Sequence, residues 1–72
     1  MNPKTIGHLA KAAEHLDHAA NAYRGASKAH AAGNHHLAAS HALAGHGHQL
    51  HAARHTEEAH QQIADDANQQ GQ

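Results

Sequence analysis

The sequence predicts an all-α protein, an antiparallel two-helix hairpin that dimerises into a four-helix bundle. Three observations predict it. Most of the 39% hydrophobic content is alanine, the strongest helix former and one that buries little surface. Gly33-Asn34 is the clearest interruption, and no proline follows Pro3. On both sides of it, apolar residues recur at spacings of three and four.

Asn2 suits an N-cap and Pro3 the first helical position, so helix 1 is expected over about residues 3–32. Its stripe is Ile6, Leu9, Ala13, Leu16, Ala20, Tyr23 and Ser27. Gly33 suits a left-handed C-cap, and Asn34 the N-cap of helix 2 over about residues 35–68. That stripe is Ala39, Leu43, His46, Leu50, Ala53, Thr56, His60, Ile63 and Ala67, and the tail from Gln69 to Gln72 is expected to fray. Folding the chain about the turn sets Tyr23 near Leu43, Leu16 near Leu50, and Ile6 and Leu9 near Ile63. The large residues are thus expected to meet each other. Gly45 and Gly47 are costly inside a helix. They signal either close helix approach or a kink, and a break there would give three helices.

A chain of 72 residues is one domain. Its bulky apolar residues are Met1, Ile6, Leu9, Leu16, Leu37, Leu43, Leu50 and Ile63, with Tyr23 as the lone aromatic. So thin a core calls for a partner chain, a metal, or both. Cysteine is absent, which excludes disulfides and thiolate metal sites. The basic residues Lys4, Lys11, Arg24, Lys28 and Arg54 are scattered, so no nucleic-acid face is expected at neutral pH. No membrane span is readable. The start MNPKTIGHLAKAAEHL lacks an apolar leader core. The expected compartment is therefore the cytoplasm, or the periplasm if a leader has been removed.

Twelve residues are histidine, so full protonation would carry the formal charge from −1 to +11. Imidazole is the side chain that ordinarily titrates between pH 5 and 8. The histidines are spaced rather than clustered in a tract. His8, His15 and His18 form H-x6-H-x2-H; His41, His48 and His51 repeat it, and His55 follows. On a helix, His41, His48 and His55 stack above one another with His51 beside them, roughly opposite Leu43 and Leu50. His15/His18, His48/His51 and His51/His55 stand three or four apart, as two-point chelators must. Glu14 and Glu58 lie close enough in sequence to add a carboxylate oxygen. His46 and His60 fall on the apolar stripe, where they are either core histidines or ligands inside the bundle. His30, His35 and His36 flank the turn as a loop cluster or as further ligands. Neutral imidazole suits zinc, copper and nickel, with Cu(II) bound most tightly, then Ni(II) and Zn(II).

Other chemistry fits less well. Glu57-x-x-His60 has the spacing of di-iron bundles, but helix 1 offers only Glu14 as a glutamate, pointing away from its stripe. His8-Leu9-Ala10-Lys11 has the H-x-x-K spacing of histidine phosphotransfer bundles, yet the chain is too short for that domain. H-E-x-x-H, phosphate-binding glycine loops and a serine nucleophile motif are absent, so no enzyme is expected. The rival to metal binding is a histidine-rich interaction module that binds anionic partners in mild acid.

HLAKAAEHLDHAANA and GNHHLAASHALAGHGHQLHAARH resemble the bacterial small metal-binding proteins, histidine-rich helical bundles. The resemblance implies several exchangeable sites per molecule and a role in metal buffering, storage or resistance. It falls most directly on His15, His18, His48, His51 and His55. Family members carry four helices in one chain, whereas this chain has room for two, a half-length version completed by a homodimer. The expected ligand set is His8, His15, His18, His41, His46, His48, His51, His55 and His60, acting as surface pairs.

Overall fold

The computed structural model describes residues 3–70 and holds two helices, α1 (Pro3–Ala31) and α2 (His35–Gln70). They fold back on each other into an antiparallel rod whose Cα atoms span 59 × 13 × 13 Å. The Asn2 cap, Met1 and the last two residues lie outside the described range. α2 runs on to Gln70, two residues beyond its expected end.

The turn follows its residue types. Gly33 takes φ of 83°, the left-handed conformation open to a residue without Cβ. The Asn34 amide donates to the Ala29 carbonyl (2.8 Å) and the Gly33 amide to the His30 carbonyl (3.0 Å), so the last carbonyls of α1 are capped by a Schellman motif. The Asn34 Oδ1 accepts the Leu37 amide at 3.1 Å, capping α2.

The register of the hairpin is the expected one, but its buried face is not. The helices meet along residues seven apart: Thr5, Ala12, Ala19 and Ala26 on α1, with Ala38, Gly45, Ala52 and Ala59 on α2. Ala12, Ala19, Ala52 and Ala59 are buried, and Ala59 has no exposed surface at all. The large residues expected to meet in the core stand outside, from Leu9 at 37% exposed to Leu43 at 73%. Each helix carries two candidate seams about 100° apart, because successive residues turn by that angle. Two helices close only one of them. The alanine seam allows closer backbone approach, since the spacing of packed helices is set by the side chains between them.

Gly45 belongs to this seam. A Cβ there would stand 3.0 Å from the Tyr23 ring, so its role is close approach. α2 continues unbroken through Gly45 and Gly47, which overturns the three-helix alternative. No described helix is long and apolar enough to cross a membrane.

Candidate metal centre

In heptad terms the small-residue seam supplies position a. His8 and His15 on α1, and His41, His48 and His55 on α2, all fall at position d. His18, His51 and Glu58 follow at g, farther out on the same side. The antiparallel fold brings these positions together on one broad side of the hairpin. His8, His15, His41, His48 and His55 are half-buried there, and they face the opposite helix. The stripe expected on the outer surface of helix 2 is therefore turned inward, a correction with the same cause as the displaced core.

The close ring pairs cross the seam. Ring centroids lie 5.2 Å apart for His8–His55, 5.5 Å for His15–His48, 5.1 Å for His15–His51, 5.8 Å for His15–His55 and 5.0 Å for His18–His48. Six imidazoles thus form a continuous ladder centred on His15. Two rungs have nitrogens in direct contact. His8 Nδ1 and His55 Nδ1 are 2.9 Å apart, and His15 Nδ1 and His48 Nδ1 are 3.2 Å apart. The ladder ends on a carboxylate, with His8 Nε2 2.7 Å from Glu58 Oε2.

These contacts fix the tautomers of the neutral rings. Glu58 accepts a hydrogen bond, so the His8 Nε2 carries the hydrogen and its Nδ1 is bare. The His55 Nδ1–H then donates to His8 Nδ1, which leaves His55 Nε2 as a free lone pair on the ladder. Partial burial, and next the neighbouring imidazoles of His51, His48 and His55, hold the His15 pKa below the ordinary 6.5; Glu14 pulls weakly the other way. His15, at the centre of the ladder, therefore favours its neutral form, the form that binds metal.

The remaining expected ligands lie apart from the ladder. His41 packs its ring over Gly25, where an added Cβ would meet it at 3.2 Å. His46 and His60 are exposed on the other broad side, as is Glu57. Glu14 pairs with Lys11 at 3.4 Å rather than with His18. Two features escaped the sequence. Glu58 stands three residues after His55 in sequence but reaches His8 on the other helix; the fold-back register pairs positions 8 and 58, so the signal is present in the sequence. His30 and His35 bring their Nδ1 atoms to 3.0 Å across the turn, a third nitrogen pair produced by the tight cap between them.

Among the described residues, no three histidine, aspartate or glutamate side chains stand ready to hold one ion. The arrangement offers pairs. At a metal–nitrogen distance of about 2.05 Å, adjacent ligands are about 2.9 Å apart in a square plane and about 3.3 Å apart in a tetrahedron. The observed separations of 2.9, 3.0 and 3.2 Å fall in that range. A shared N–H···N hydrogen bond has the same length; its proton lies on the N···N line, whereas an ion bound by both nitrogens would sit to one side of that line. Compared with known proteins, the chain matches no family model, no curated protein and no solved structure.

Proposed function

We propose that this protein reversibly binds divalent transition-metal ions, in the order Cu(II), then Ni(II) or Zn(II), and buffers or stores them. The observation that carries this reading is the imidazole ladder, which sets nitrogens of opposite helices at the separation of neighbouring metal ligands. At the His8–His55 rung, an ion would take both Nδ1 lone pairs. The bridging hydrogen would move to His55 Nε2, and His8 would keep its Nε2–H on Glu58. A ligating histidine whose other nitrogen donates to a carboxylate is the usual outer-shell pattern of metal sites. Two protein ligands give modest affinity and fast exchange, which suits a buffer better than a permanent structural site. The reading involves no catalysis: Glu57 and His60, the di-iron spacing, stand exposed and away from the ladder.

The test is calorimetric titration of the purified chain with Cu(II), Ni(II) and Zn(II) at pH 7.5, repeated at pH 5. More than one ion should bind at pH 7.5 and be released at pH 5, because protons compete for imidazole below about 6.5. Replacing His48, His51 and His55 together by glutamine should lower the stoichiometry by at least one ion. An unchanged stoichiometry in that variant would sink the ladder as the site. The acid-switched interaction module predicts the opposite pair of results: little metal bound at pH 7.5, and binding to anionic vesicles or nucleic acid at pH 5.5.

A further inference from the structure

The second candidate seam of each helix is left open by the fold. Heptad positions b and e lie about 100° round each helix from the closed seam. In an antiparallel pair with its d positions together on one side, the e positions of both helices come together on the other. Tyr23 and Gln49, both at position e, are joined there by a hydrogen bond from the tyrosine hydroxyl to the Gln49 Oε1. This broad side carries Ile6, Leu9, Leu16, Tyr23 and Ile63, exposed by 37–54%, with alanines between them. Leu43 and Leu50 stand at its margin. None of the chain's eleven lysine, arginine, aspartate and glutamate residues falls at a b or e position. The strip is therefore free of lysine, arginine, aspartate and glutamate along its length; its polar positions are Ser27, Gln49, Thr56 and the histidines His30, His35, His46 and His60.

We infer that this face is covered by a second copy of the chain, laid face to face to make a four-helix bundle with the imidazole ladders on its two outer sides. Three observations select that occupant. The two seams of each helix are about 100° apart, close to the right angle at which a helix in a square four-helix bundle meets its two neighbours. The strip follows the 59 Å rod from Ile6 and Ile63 towards Tyr23, so a second rod can meet it along much of its length. The strip has no charge to be matched, so it complements itself, as a two-fold interface must. A lipid surface fits less well. Helices that lie in membranes carry a dense basic border, whereas five basic residues here are scattered among six acidic ones. Among the described residues, the buried ones are alanines, Gly45 and Thr5, too little for a lone 72-residue chain, and the second copy supplies the missing core.

Sedimentation equilibrium of the full chain, at 5 to 200 µM in EDTA, tests this separately from metal binding. The expected mass is twice 7.6 kDa, with helicity and dimer fraction falling together on dilution. Ala13→Glu and Ala53→Glu, combined, put charge in the middle of the strip without removing an apolar side chain. They should weaken the dimer at least a hundredfold, while Asn21→Glu, at position c opposite both seams, should leave it intact. A wild-type chain that stays at 7.6 kDa with full helicity at 200 µM would overturn the inference. So would a strip variant that dimerises as well as the Asn21→Glu protein. Co-sedimentation of a monomeric wild type with neutral phosphatidylcholine vesicles would give the face to lipid instead.

Discussion

The two broad sides of the hairpin share one register and one helical repeat but differ in chemistry. One side presents half-buried position-d histidines and exposed position-g histidines, six of them paired across the helices. The other presents position-b and position-e aliphatic residues, exposed and facing no partner within the chain. The difference lies in what each can do alone. Imidazoles satisfy one another by hydrogen bonding and stacking, so that side is complete within one hairpin. Leucine and isoleucine gain only by leaving water, so the other side needs a second layer. The alanine seam between them belongs to neither; it sets how closely both rows of side chains are held.

The largest expected effect comes from breaking that shared seam. Ala59→Leu forces a bulky group into a position with no exposed surface. It should cost about 1–3 kcal/mol or more and disturb both sides at once. Urea unfolding measures the stability, and histidine ring NMR shifts report the ladder. Should Ala59→Leu be as stable as the wild type, the seam has been misplaced.

A sharper cut separates the imidazole side from the aliphatic one. Glu58→Gln removes the carboxylate that orients His8, and loss of such an outer-shell partner typically costs 10–100-fold in metal affinity. Copper titration should show that loss at one site while the sedimentation mass stays unchanged. Equal affinity in the variant would mean that the His8–Glu58 contact has no part in metal binding.

The third effect is pH dependence in metal-free protein. His15 has a folded pKa below its unfolded value near 6.5, so between the two values the unfolded chain holds more protons. The stability it contributes is present above about pH 6.5 and lost as the pH falls through the lower folded value. Urea midpoints measured from pH 8 to pH 5 should decline over that window. His15→Gln should flatten the decline, and a variant with the wild-type slope would show that other groups carry it.

The smallest effect distinguishes the two mid-helix glycines. A Cβ at Gly47 meets nothing within 4 Å, so Gly47→Ala should stabilise by about 1 kcal/mol through helix propensity alone. At Gly45 the Tyr23 ring stands 3.0 Å away and must shift, so Gly45→Ala should gain clearly less. Thermal melts of both variants decide it, and equal gains would show that Tyr23 yields freely.

Much of this protein is written in its residue types. Pro3, Gly33 and Asn34 specify where helices start and stop through local backbone chemistry. The alanine content makes the helices, and folding about the turn dictates which residues are level with which. The sequence also lists the imidazoles, and the spacing of His8 with His15 and of His41, His48 and His55 puts each set on one face. What only the tertiary structure decided is which face each helix turns to the other. Side-chain size argued for Leu16 against Leu50, whereas the helices close on Ala19, Gly45 and Ala52, because two stripes compete on each helix and a single pair can bury one. That rotation moved the histidines from outer surface to inner groove, and turned pairs expected within a helix into pairs between helices. Local propensity cannot fix such a choice, since it depends on how closely two backbones can approach once both are formed.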